Sequence, residues 1–211
     1  MNTEHVDLGL AQYSDWAFTS SVVILILALV MLAIELAYSR SRRVAERELV
    51  AAGGVTADSD RPGVVGGAPV RTVDERIGRA GLALVYVGIA MLFVCIVLRG
   101  LATSRAPWGN MYEFINLTAF SGLLAAAVVL RKPAYRALWV FVLIPVLILL
   151  TVSGKWLYTH AAPVMPALQS YWLPIHVSVV SLGSGVFLVA GVASILFLLK
   201  MSPLGAPDRD G

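Results

Sequence analysis

The chain has 211 residues, of which 58% are hydrophobic and only 14% charged, with a mean hydropathy of +0.80. A soluble domain carries closer to about 25% charged residues, so this composition excludes an ordinary soluble fold and points to the lipid bilayer as the solvent. An isoelectric point of about 9.2 invites a nucleic-acid partner, but the positions of the charges explain the surplus without one. The single cysteine, Cys95, excludes an intramolecular disulfide, a Cys-x-x-Cys redox pair and a thiolate metal cluster. Inside an apolar run it reads as a small buried hydrophobe.

Residues 1–16 carry Glu4, Asp7 and Asp15 but no Lys or Arg, unlike the basic start of a secretory signal. The run 17–38, with Glu35 its only charge, is long enough to span the bilayer as a helix. Arg40, Arg42 and Arg43 follow it, which puts the N-terminus outside and the next loop in the cytoplasm. That loop, 39–79, is expected to hold an interfacial helix over 42–52 and a flexible linker over 53–68, rich in Gly, Asp, Ser and Pro. Further apolar runs at 80–98, 114–130, 137–152 and 175–199 complete an all-α polytopic membrane protein of five transmembrane helices. Pro145 in the fourth run suits a kink, and a polar tail over 200–211 leaves the C-terminus cytoplasmic. Of the 16 basic residues, all but Arg99, Arg105 and Lys155 fall on the inner side, a strong positive-inside bias. Trp16, Trp108, Trp156 and Trp172, and the histidines His5, His160 and His176, then lie at the outer face.

Two outer stretches carry the polar chemistry. In Ala106-Pro107-Trp108-Gly109-Asn110-Met111-Tyr112-Glu113-Phe114, a helix starting near Asn110 puts Asn110, Glu113 and Asn116 on one face. A carboxylate there is either functional or part of a cap, with Asn110 as N-cap, Glu113 at the third helical position, and Trp108 and Tyr112 in the headgroup belt. In the other stretch His176 begins the fifth helix, with Val180, Gly183, Phe187, Ala190 and Ser194 on its face. Ser178, Ser181 and Gly185 lie opposite and form a candidate small-residue packing seam. Gly183 leaves room beneath the imidazole for something flat, and imidazole is a good ligand for haem iron. An interface histidine that only hydrogen-bonds headgroups is the competing reading. His160, between helices near Pro163 and Pro166, has no defined face, and His5 belongs to a terminal tail. No phosphate loop, His-Glu-x-x-His helix or Ser-His-Asp set is visible.

Trp108-Gly109-Asn110-Met111-Tyr112-Glu113-Phe114, followed by Trp172-Leu173-Pro174-Ile175-His176-Val177-Ser178, resembles the N-terminal part of the CcsA/ResC cytochrome c assembly proteins, whose actinobacterial versions are often called CcsB. The resemblance covers residues 80–200. It implies the System II pathway, in which haem b is held transiently at the outer face of the bacterial plasma membrane for thioether attachment to apocytochrome c. By the same resemblance His176 is the first of two external histidines that ligate haem iron. Trp108, Tyr112, Trp156 and Trp172 then line the external mouth, and Asn110 and Glu113 position the loop. A ResB-type membrane protein, the apocytochrome and a thiol-reductant pathway are the implied partners.

The family's tryptophan-rich segment, Trp-Gly-x-x-Trp-x-Trp-Asp, and its later histidine-bearing helices are missing from this sequence. The chain is therefore expected to be an N-terminal portion of a longer protein, and the resemblance implies part of a haem lyase without assigning a catalytic residue. Two other readings stay open: a small-molecule or ion transporter whose outer gate uses Glu113 and His176, and a non-catalytic membrane scaffold.

Overall fold

The computed structural model describes residues 7–51, 73–104, 106, 109–160 and 172–202. The linker 53–68, the tail beyond 202, His5, Arg105, Trp108 and most of the segment before Trp172 lie outside the described residues. Five helices follow in order: α1 (Leu8–Ala51), α2 (Val73–Ala102), α3 (Met111–Val129), α4 (Leu138–Trp156) and α5 (Trp172–Met201), with a 3-10 turn, Pro133–Tyr135, before α4. All five are long and apolar enough to cross a membrane, and the described residues contain no strand. The described residues thus form helices and turns, with five helices fit to cross a membrane, as lipid demands of a backbone that must satisfy its own hydrogen bonds.

The helices outrun the apolar runs because their ends are decided by caps and breakers, which hydropathy does not see. Asp7 opens α1, its Oδ1 accepting from the Gly9 and Leu10 amides at 2.9 and 3.2 Å. The separate interfacial helix expected over 42–52 is instead the continuation of α1 to Ala51, since no Gly or Pro interrupts the chain before Gly53. At the end of α2 the Thr103 hydroxyl donates to the Arg99 carbonyl (3.0 Å), and Ser104 turns the chain at φ 48°. α4 runs as one helix through Pro145.

α1 and α2 form the most extensive contact, and α3, α4 and α5 are added to them. Leu25, Leu32, Leu92, Leu123, Leu143 and Leu150 are fully buried in the shared core. Between α1 and α2 the Ser21 hydroxyl donates to the Gly88 carbonyl at 2.8 Å. Near the other end of α1 the Glu35 carboxylate lies directly against Gly78, where any β-carbon would collide with it, and Arg136 pairs with it at 2.7 Å. α5 runs parallel to α3: the Ser121 hydroxyl donates to the Ser181 carbonyl at 3.1 Å, and Gly185 packs on Gly122. Ser181 and Gly185 are the buried residues of α5, so the small-residue seam read from the sequence is the face that packs. Ser178 bonds back to Pro174 within its own helix.

Candidate functional site

The starts of α1 and α3 and the ends of α2 and α4 meet around one buried guanidinium. Arg99, in the last turn of α2, has a side chain only 2% exposed, and its Nε donates to Glu113 Oε1 at 3.2 Å. Its Nη1 faces Asp15 Oδ1 of α1 at 3.3 Å, and its Nη2 donates to the Thr159 carbonyl beyond α4. Every edge of the guanidinium is therefore used, which is what a cation taken out of water requires.

Asn110 and Glu113 build the acidic side of this cluster. Asn110 is the N-cap of α3, its Oδ1 accepting from the Glu113 amide at 2.8 Å. Glu113, at the third helical position, accepts in return from the Gly109 amide (2.8 Å) and from Asn110 Nδ2 (3.4 Å). The capping reading of this stretch is the one the geometry shows, and the capping carboxylate also neutralises Arg99. Asn116, one turn on, accepts from the Ser153 hydroxyl at 3.3 Å and ties α3 to α4.

Tyr112, expected in the headgroup belt or lining an outer mouth, is fully buried. Its ring packs edge-on against Phe18 and Tyr158, with centroids 5.3 and 5.4 Å apart, and the Arg99 guanidinium carbon stands 4.7 Å over it. The side chain turns inward because the capped first turn of α3 faces the bundle. Tyr158 donates to Asp15 Oδ2 at 2.5 Å, and burial together with that carboxylate holds its phenol above the ordinary value. The space left among Cys95, Arg99, Tyr112, Glu113 and Asn116 is only about 10 Å³, so the cluster is closed to any substrate and acts as a clamp on helix ends.

The remaining site candidates lie apart from it. His176 is exposed on α5, and at Gly183, two turns below, a β-carbon would meet nothing within 4 Å. Trp172, one turn above, is 67% exposed and Phe187 77%, so Trp172, His176, Val180, Gly183 and Phe187 make a stripe that faces away from α3. Trp156 is exposed too, carries the Lys155 ammonium 5.5 Å over its ring, and borders a groove between α1 and α4, on a different side from α5. His160 stacks edge-on against Tyr158. Among the described residues no three His, Cys, Asp or Glu side chains gather to hold a metal ion, so His176 stands as a lone donor.

Arg99, Asp15 and Tyr158 went unnoticed in the sequence as site residues. The available signal was an arginine directly after one apolar run, with an acid directly before another run at the same side of the bilayer.

Comparison with known proteins gives several partial relatives. The chain is 30% identical to the cytochrome c biogenesis protein CcsA of Rippkaea orientalis over 135 residues, 62% of this chain and 38% of that protein. It is 28% identical to CcsA of Cycas taitungensis over 120 residues, 53% of this chain and 37% of the relative. Protein NrfI of Wolinella succinogenes is 29% identical over 119 residues, 53% of this chain and 13% of that much longer protein. The match thus spans well under half the length of each of these relatives. No protein-family model and no solved structure matches. The resemblance to CcsA read from the two outer motifs is found again here as similarity over more than half of the chain.

Proposed function

We propose that this membrane chain, similar over 62% of its length to a CcsA protein, takes part in cytochrome c biogenesis by handling haem at the outer face of the bacterial plasma membrane. That similarity is the observation that carries the reading. The positive-inside distribution of Lys and Arg supports placing the end that holds Asp15, Arg99 and His176 outside, with the N-terminus there and the C-terminus in the cytoplasm.

Haem b is the cargo in this reading, and the residues present suit a transient hold. His176 offers a ring nitrogen to the iron from the first turns of α5, and the open helix face at Gly183 accepts a flat ring. Trp172 supplies aromatic surface one turn from His176, while Asn110, Tyr112 and Glu113 fix the helix ends of the neighbouring cluster; Trp108 and Trp156 enter this reading only through the resemblance. A lone exposed imidazole binds weakly and exchangeably, which suits delivery to apocytochrome c better than a permanent centre. A ResB-type membrane protein and a thiol-reductant pathway are the partners of this reading. In the transporter alternative Glu113 would have to leave Arg99, Gly109 and Asn110 for its gate with His176 to open.

The test is to purify the chain with its membrane partner and compare haem content and cytochrome c maturation between wild type and His176→Ala. Loss of both, with haem content restored by added imidazole, is expected. Unchanged haem content would remove the ligand assignment.

A further inference from the structure

We infer that a slot between α3, α4 and α5 at the Glu35 end binds one acyl chain of an anionic glycerophospholipid, with its phosphate held by Arg131, Lys132 and Lys200. α5 leans on α3 and barely touches α4, so the two helices part and leave a cleft of about 240 Å³. Leu130 at the end of α3, Tyr135 and Val142 on the α4 side, and Val192 and Leu196 on α5 line it. The lining is almost wholly hydrocarbon and the cleft is part open to the surroundings, so a lipid tail suits it better than water.

The mouth of the slot supplies the headgroup chemistry. Arg131 and Lys132 directly follow Leu130, and the Tyr135 ring, half exposed, closes the same turn. Lys200 lies one turn past Leu196, in line with Val189, Val192 and Ala193. All three cations are exposed and form no ion pair among the described residues, whereas Arg136 in the same turn is engaged by Glu35. Lys and Arg at the headgroup level beside an apolar slot fit a lipid phosphate and its tail together.

The full chain would be reconstituted in vesicles of palmitoyl-oleoyl phosphatidylglycerol and phosphatidylcholine at equal ratio, extracted into detergent, and its retained lipid counted by native mass spectrometry. Wild type is expected to keep one phosphatidylglycerol, not displaced by inorganic phosphate. Removing the charges with Arg131→Gln, Lys132→Gln and Lys200→Gln should lower its retention by about fivefold per charge and erase the preference over phosphatidylcholine. Val192→Trp, which fills the slot and leaves the cations in place, should abolish retention of either lipid while the thermal midpoint holds. Retention by Val192→Trp equal to wild type would reduce the effect to a diffuse charge attraction and overturn the slot. Equal retention of the two lipids by wild type would overturn the headgroup assignment.

Discussion

Replacing Arg99 by methionine tests whether the buried ion cluster holds the helix ends. The Arg99 and Glu113 side chains are 2% and 1% exposed and 3.2 Å apart. At an effective dielectric of about 20 that separation corresponds to an attraction of about 5 kcal/mol, much of it offset by the cost of removing both charges from water. Asp15, 35% exposed, adds little. Arg99→Met removes the cation that faces the buried Glu113 carboxylate at 3.2 Å, a loss expected at about 3–5 kcal/mol. In a chain of this size each kcal/mol moves the midpoint by about 2–4 °C, so a drop of about 6–20 °C is expected. Glu113→Gln should cost a similar amount, and the double variant should recover most of it, since an apolar and amide pair then replaces the buried ion pair. Thermal unfolding in detergent, followed by tryptophan fluorescence, gives all three midpoints. A drop below about 2 °C for Arg99→Met, or a double variant equal to the sum of the single ones, would refute the reasoning.

Three further outcomes follow from the geometry. At Gly185 a β-carbon would fall on Ser121 Oγ and within 2.6 Å of the Thr118 carbonyl oxygen; Gly185→Val should cost about 1–3 kcal/mol and lower the oxidative crosslinking yield between Ser121→Cys and Ser181→Cys. Ser104, at φ 48° after α2, sits where glycine is favoured, so Ser104→Gly should raise the thermal midpoint by the equivalent of up to about 1 kcal/mol, and a fall would count against the turn. Tyr158 holds its proton above the ordinary value, so its contribution to stability is fully present below pH of about 10 and is lost as pH rises further. The midpoint difference between wild type and Tyr158→Phe should therefore be constant through neutral pH and shrink above that value.

Much of the fold was legible because the bilayer leaves the backbone so few choices. Apolar runs long enough to span could only be helices, and Ser181 with Gly185 could only be a face where another backbone comes close. Asn110 and Glu113 were legible too, since their spacing is that of a reciprocal cap. The length of α1 was hidden: a polar, arginine-rich stretch without Gly or Pro continues a helix or starts a new one with the same composition. Arg99 was hidden for a related reason. A cation at the end of an apolar run has the same sequence signature whether it reaches up to headgroups or bends inward to Glu113 and Asp15. Tyr112 followed Arg99 inward, and an aromatic at a helix start carries no mark of which way it turns.

The contrast between the two kinds of joint sets how freely the parts of the molecule can shift. Ion pairs tie α1, α2 and α3 together at the Arg99 end and α1 to the turn before α4 at the Glu35 end, while α5 meets α3 through the Ser121, Ser181 and Gly185 contact with Leu188, Val189 and Val192 packed beside it. Such a contact holds by close approach of backbones rather than by charge. His176, at the start of α5, accordingly sits on a helix that carries none of the ion pairs found among the described residues, and its position depends on the close backbone fit of α5 against α3.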